Sequence, residues 1–375
     1  MALPSHARVV IIGGGVIGCS VAYHLTKLGW KDVVLLERKQ LTSGTTWHAA
    51  GLIAQLRASA NMTRLAKYSQ ELYGDLEAET GVATGFKRCG SITVALTDER
   101  REEIFRSAAM ARAFGVDVEE IGPADVKARY PHLNTDGVTA GVYLDKDGQG
   151  DPGTIALALA KGGRQRGAQL FERVKVTKAL RSGRRVTGVA YTTDDGTEGE
   201  ITCDHVVNCA GMWGHDVGRM LGTSIPLQAC EHFYIVSEPI KGLEQLPVLR
   251  VPDECAYYKY DAGKIMLGAF EPVSKPWGMQ GIPDSFEFDQ LPEDFDHFEP
   301  ILEAAVNRMP MLAEAGIHTF FNGPESFTPD DAYHLGLAPE MDKVWVAAGF
   351  NSIAVPLTHL RAPEPPEHPV FRPLL

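Results

Sequence analysis

The sequence predicts an α/β chain in two parts, one domain around a parallel βαβ sheet and a second built on a mostly antiparallel sheet. Three observations predict it. An apolar, β-branched run, Arg8-Val-Val-Ile-Ile-Gly13, opens directly into Gly13-Gly14-Gly15-Val16-Ile17-Gly18 and a helical repeat. The next apolar run, Val33-Val34-Leu35-Leu36, ends in Glu37, nineteen residues past Gly18 (37 − 18). Between Pro226 and Gly268, strand-like runs follow one another with no helical pattern between them.

The N-terminal elements fit a Rossmann-like clamp for a dinucleotide. In G-x-G-x-x-G, Gly13 makes the tight turn, Gly15 lets backbone approach a pyrophosphate, and Gly18 lets helix and strand pack closely. Val16, Ile17, Val21, Leu25 and Leu28 keep helical spacing up to Gly29, and the helix N-terminus faces the phosphates. Glu37 stands where a ribose hydroxyl would be held. The triplet alone would also suit a structural turn; its place between strand and helix, with the acid at this distance, favours the dinucleotide. FAD and NAD(P) then remain, with Glu37 arguing against the 2′-phosphate of NADP.

The following loop separates them. Ser43-Gly44-Thr45-Thr46-Trp47-His48-Ala49-Ala50-Gly51-Leu52 is rich in small and hydroxylated residues. With this motif the chain resembles the FAD-binding part of the dimethylglycine and sarcosine dehydrogenases, within the D-amino-acid-oxidase-like flavoproteins. The resemblance implies that the histidine of T-W-H-A-A-G-L, here His48, carries the flavin covalently through a ring nitrogen. It also implies that Arg38, Ser43, Gly44, Thr45, Thr46, Ala50, Gly51 and Leu52 lie along FAD. A neutral imidazole is a competent nucleophile for such a link. The bland alternative is a histidine that caps a helix or hydrogen-bonds within its loop.

Composition sets bounds. At 375 residues the chain exceeds one usual core, so two domains are expected. Hydrophobic residues at 44% supply them. A net charge of −12 with no basic stripe argues against nucleic acid. No apolar run reaches the length of a membrane helix, and Met1 to Arg8 has neither a signal-peptide core nor an Arg-rich transit lead, so a cytoplasmic location is expected. Six cysteines without C-x-x-C spacing predict reduced thiols and no metal.

Taken in order, residues 61–80 form a helix closed by Gly81, Cys89 to Leu96 a strand, Asp98 to Phe114 a charged surface helix, and Ala124 to Tyr130 a short one. Asp151-Pro152 opens a helix through Leu159, with Asp as cap and Pro in the first turn. Leu170 to Val176 is a strand, and a hairpin turns at Asp194-Asp-Gly196. His205-Val-Val-Asn-Cys-Ala-Gly211-Met-Trp213 and Lys343 to Gly349 are buried return strands, and Glu299 to Met309 is a helix. The resemblance implies that Ala210, Gly211 and Trp213 lie against the cofactor and that the Val174 backbone meets the adenine; a plain strand-to-helix turn is the alternative for Ala210-Gly211. The FAD domain is thus read as discontinuous, residues 1–80, 145–221 and 325–353, with 81–144 and 222–324 forming the substrate cap.

For chemistry, the resemblance implies oxidation of the N-methyl group of a small secondary or tertiary amine, such as sarcosine or dimethylglycine, by hydride transfer to flavin, with an electron-transfer flavoprotein or oxygen as acceptor. Relatives place a histidine from E-H-x-Y and a tyrosine from a Tyr-Tyr pair over the site, matching His232 with Tyr257 or Tyr258. Alternation puts the two tyrosines on opposite faces, so one alone can face the flavin, and Tyr258 is preferred. A substrate carboxylate would need a cation, for which Arg250 and Lys259 are both open.

Two departures from the resemblance matter. The relatives continue into a folate-binding region, before which this chain stops. Residues 354–375, with Pro356, Pro363, Pro365, Pro366, Pro369 and Pro373, replace a glycine-rich turn and final helix, so an irregular tail and weakened flavin binding are expected. Other readings are a truncated form with impaired activity, a non-catalytic flavoprotein regulatory subunit and an NAD-dependent dehydrogenase.

Overall fold

The computed structural model describes residues 2–57 and 59–357. Its first sheet runs in the order Val174–Ser182, Arg185–Thr193, Glu198–Asn208, His6–Ile12, Val33–Leu36, Gln169–Phe171. The strand His6–Ile12 is parallel to both neighbours, pairing Ile12 with Leu36 on one side and with Asn208 on the other. Strand Val344–Ala348 adds in parallel to the end of Glu198–Asn208. These strands are apolar almost throughout because helices cover the sheet; Val9, Val10, Ile11, Val33, Val34 and Leu35 are all fully buried.

Helix Val16–Lys27 packs on this sheet beside helix Pro152–Gln165. A Cβ on Gly18 would lie 1.9 Å from the Gly13 carbonyl oxygen, so only glycine allows this approach of helix to strand. The second helix runs six residues past the expected end at Leu159 (165 − 159). Gly162 and Gly163 read as breakers in sequence, yet they sit against the first helix; a Cβ on Gly162 would lie 2.8 Å from the Tyr23 ring. Close helix packing, not a stop, explains those glycines.

Three local readings change. Leu170 to Val176 is two strands, because Arg173 takes φ 61 and turns the chain; Gln169–Phe171 joins Val33–Leu36 and Val174–Ser182 joins Arg185–Thr193. The helix expected from Glu299 starts at Phe295, capped by the Asp294 side chain on His297 N–H, with Pro300 inside it. At the C-terminal end, residues 358–375 of the expected tail lie outside the described residues. Val355–Leu357 is no loose tail but a buried 3-10 turn in the main core, with the Tyr73 hydroxyl donating to the Val355 carbonyl.

The second sheet has the order Ile317–Asn322, Phe233–Ser237, Lys264–Ala269, Ala256–Asp261, Val248–Val251, Ser91–Ala95, Ala140–Leu144, Glu119–Ile121. Every pairing is antiparallel except Val248–Val251 with Ser91–Ala95. One face carries a core of its own, including Phe233, Leu249, Tyr258, Leu267 and Phe298. The other face looks toward the nucleotide end of the first sheet. Among the described residues no helix is long and apolar enough to cross a membrane.

Candidate FAD and substrate site

A cleft of about 390 Å³ opens at the C-terminal ends of the parallel strands. The turn Gly13 to Ile17 forms one wall, Glu37 and Arg38 close one end, and Ser43 to Thr46 form the opposite lip. Val174, Ala210, Gly211 and Trp213 complete the wall from the return strands. Gly18 alone of the motif glycines lies behind the cleft, in the helix contact described above. Of the loop after Thr46, His48, Ala50, Gly51 and Leu52 face an adjoining cavity instead.

The cradle is pre-organised. Glu37 Oε2 accepts from the Gly14 N–H at 2.6 Å and Oε1 accepts from the Lys39 N–H at 2.8 Å. Burial pushes the Glu37 carboxyl up, against these two hydrogen bonds. The Thr46 hydroxyl accepts from the Val16 N–H at 3.0 Å, and a Cβ on Gly15 would sit 3.1 Å from that oxygen. Arg38 lies 4.2 Å over the Trp213 ring and donates to the Asp284 and Phe286 carbonyls, which straps residues 284–286 across the cleft. Glycines backing a helix N-terminus with a buried acid beside it suit a dinucleotide pyrophosphate and ribose, so the residues present fit FAD.

His48 follows in a 3-10 turn, Thr46–His48, that leads out of this lip into the second cavity. Its ring is 4% exposed, stacks on Phe321 at 5.3 Å, and meets Trp47 edge-on at 5.5 Å. Gly323 lies so close that a Cβ there would be 2.4 Å from His48 Cε1. Nε2 is buried with no hydrogen-bond partner among the described residues. Burial pushes the imidazole down to about 3, so the ring is neutral at physiological pH.

Register explains the rest of the cavity. Directly opposed residues of antiparallel strands share a face. One row therefore runs Arg250, Tyr257, Gly268, Tyr234, Phe321 across five strands, and Phe321 carries it to His48. The row of the other face runs Leu249, Tyr258, Leu267, Ile235, Phe320. The sequence-based preference for Tyr258 is thereby corrected: Tyr257 lines the cavity, while Tyr258 is fully buried in the core beneath. Alternation revealed that the two must differ, but not which face meets the flavin end.

His232 also lines the cavity, 7% exposed, with Nδ1 3.1 Å from Glu271 and Nε2 3.4 Å from the Ser352 hydroxyl. Burial pushes its imidazole down, but the hydrogen bond to Glu271 and the charges of Glu325 and Glu271 outweigh this and raise it. The cation question separates cleanly. Lys259 Nζ is committed to the Ala50 carbonyl at 2.7 Å, whereas Arg250 opens on the cavity together with Arg57. Arg57 Nε is buried without a hydrogen-bond partner among the described residues, and burial then the Arg250 charge push its guanidinium down to about 10. Asp147, the acid whose charge reaches both, already binds the Ser91 hydroxyl at 2.6 Å and the Gln55 N–H at 2.9 Å.

Sequence reasoning missed Arg57, Glu271, Gly323, Glu325 and Ser352. Glu271 and Ser352 reach the site by hydrogen bonding to His232, Glu325 through its charge on that ring, Gly323 by its approach to His48, and Arg57 through the cavity it shares with Arg250.

The FAD dependent oxidoreductase (DAO) family model matches residues 8–360. The chain is 41% identical to 4-methylaminobutanoate oxidase (formaldehyde-forming) of Paenarthrobacter nicotinovorans, over 93% of this chain and 42% of that protein. It is 40% identical to mitochondrial sarcosine dehydrogenase of Mus musculus, over 95% of this chain and 38% of that protein. The chain thus spans about two-fifths of the length of these curated relatives. Among solved structures, L-proline dehydrogenase from P. horikoshii superposes with a TM-score of 0.84 at 26% identity, covering 95% of this chain and 91% of that one. A cleft that fits FAD and a family match across nearly the whole chain agree, and the chain belongs to the DAO family of FAD-dependent oxidoreductases.

Proposed function

We propose that this chain holds FAD covalently through His48 and oxidises a small secondary or tertiary amine that carries a carboxylate, in the class of sarcosine, dimethylglycine and longer N-methyl amino acids. The observation that carries the reading is the cross-strand row from Arg250 through Tyr257 to Phe321, which puts a cation and a phenol on the cavity that His48 enters.

The protein's part is binding and proton handling. Arg57 and Arg250 both line the cavity, and Asp147, whose charge reaches both, already accepts from Ser91 and Gln55, so the pair holds an anion. His232 takes a proton from the amine, because only the free base has the lone pair that assists C–H cleavage. The Tyr257 phenol, which burial pushes well up, stays protonated and donates. Bound FAD would supply the two-electron acceptor for oxidation at the carbon beside the nitrogen. Arg38, Trp213 and Glu37 hold the other end of the cofactor.

The relatives support this class through their names, which describe oxidation of N-methylated amino acids. The test is a panel of N-methyl amino acids mixed anaerobically with the purified chain, following bleaching of the flavin. Bleaching by carboxylate-bearing amines but not by the corresponding alkylamines supports the proposal; no bleaching by any of them sinks it. Protein that purifies without flavin would favour a non-catalytic role of the same fold. Repeating the oxidation in air separates oxygen from an electron-transfer flavoprotein as acceptor.

A further inference from the structure

His232 and three side chains around it, Glu271, Ser352 and Glu325, form a polar line. Glu271 is 3% exposed and its two oxygens accept from His232 Nδ1 and from the Phe233 N–H at 3.0 Å. Being an acceptor, Glu271 fixes the proton on Nδ1 and leaves Nε2 to face Ser352. Ser352 and Glu325 line the same two cavities, and the Ser352 hydroxyl acts on the Glu325 carboxyl, pulling it down against burial. Glu325 is 6% exposed and lines both the FAD cleft and the substrate cavity.

The backbone at Ser352 is costly to hold. Asn351 and Ser352 take φ 48 and 62, the left-handed region, in succession without glycine. Three hydrogen bonds between Asn351 and Thr328 keep the turn in place, two of them to the Asn351 side-chain oxygen at 2.7 and 3.2 Å. Strain kept by surrounding contacts marks positions whose geometry matters.

We propose that the Ser352 hydroxyl relays protons between His232 and Glu325, with Glu271 as the positioning residue that sets the His232 tautomer. Its place in catalysis rests on the amine-oxidation reading above. The substrate ammonium gives its proton to His232 Nε2. That N–H bond then breaks as Ser352 Oγ takes the proton, while the Ser352 O–H proton passes to a Glu325 oxygen. One proton has moved from nitrogen to carboxylate, and nothing is oxidised. A serine has a single proton, so it donates to Glu325 or to His232 but not to both; its rotation follows the charge on the imidazole. Burial raises the Glu325 carboxyl, which suits a proton acceptor between two cavities. The 3.4 Å spacing to His232 is that of a site without substrate, where such contacts are commonly long.

The charged and titratable groups facing His232 are Glu271, Glu325, His48 and, beyond them, Tyr257 with Arg250 behind it. The test uses the full flavin-loaded chain without substrate. Exchange of the Nε2–H with water is read by NMR on protein labelled in histidine nitrogen, on the acid side of the His232 titration where the imidazolium carries both ring protons, and the tautomer is read from the ring nitrogen shifts on the alkaline side. Ser352→Gly, which the positive φ tolerates, and Glu325→Gln should each slow Nε2–H exchange by about 100-fold or more, the lower edge of what a positioned proton-transfer group contributes. Glu271→Gln should instead mix the tautomers and leave exchange through Ser352 intact. Wild-type exchange in either Ser352→Gly or Glu325→Gln overturns the relay, as does an unchanged tautomer in Glu271→Gln for the positioning role. Because no amine enters this measurement, a relay that holds while the amine panel fails would refute the proposed substrate alone.

Discussion

Tyr257 lies over Gly268: a Cβ on that glycine would be 1.8 Å from Tyr257 Cζ and 2.1 Å from its hydroxyl oxygen. The two residues are directly paired across neighbouring strands, so the absent side chain is what allows the phenol to lie flat toward the cavity. Gly268→Ala should therefore displace the ring, costing about 1–3 kcal/mol as overpacking and lowering the rate of amine-dependent flavin reduction. Urea denaturation beside stopped-flow reduction measures both, and a wild-type rate would count against Tyr257 as a site residue.

The two tyrosines should separate sharply. Tyr257→Phe removes the donor on the cavity and should slow reduction by about 100-fold or more, in the range of a lost proton-handling group. The Tyr258 hydroxyl is buried without a hydrogen-bond partner among the described residues, so Tyr258→Phe should leave the rate unchanged and stability equal or higher. Reversed effects would restore the Tyr258 assignment.

Covalent attachment is read by colour. Flavin should stay with acid-precipitated protein, and His48→Ala should release it into the supernatant. Gly323→Ala keeps His48 but drives a methyl to within 2.4 Å of its ring, so it should lower the covalently bound fraction while flavin still binds. Colour retained in His48→Ala would falsify the link.

Arg57 and Arg250 should act on substrate binding. Arg250→Lys keeps the charge but loses the planar fork, and should raise KM for carboxylate-bearing amines by about 10-fold with little change for neutral amines. A kcat loss without a KM change would place Arg250 in the chemistry instead.

Acid should destabilise the fold through buried histidines. Burial pushes His24 down to about 4 and His48 to about 3. Between pH 6.5 and 4 the unfolded chain therefore binds more protons than the folded one, so stability is full above 6.5 and is lost as pH falls through the folded values. At 1.36 kcal/mol per pKa unit, His24 accounts for about 3 kcal/mol of that loss. Asp147, held up near 6 by burial, works in the opposite direction between about 4 and 6. His24→Gln should flatten the decline in urea midpoint between pH 7 and 4.5, and an unaltered slope would exclude His24 as its source.

Local chemistry made much of this legible. The glycine turn and the Asp151 cap act through neighbours a few residues away, and Glu37, accepting from the Gly14 N–H, closes the same βαβ unit, so their spacing carries their role. The helix Pro152–Gln165 shows the limit: Gly162 looks like a stop until the ring of Tyr23, far off in sequence, is seen against it.

The sequence by itself determined the FAD-binding half, the antiparallel character of the second sheet, and His48, His232 and a tyrosine as the residues to watch. Only the tertiary structure decided that Tyr257 and not Tyr258 faces the cavity, that Arg250 with Arg57 is open while Lys259 is tied to Ala50, and that Glu271, Ser352 and Glu325 surround His232. The reason is physical: alternation fixes that adjacent side chains part, but which face points to the cleft depends on how one sheet is laid against the other, and no local rule reports that.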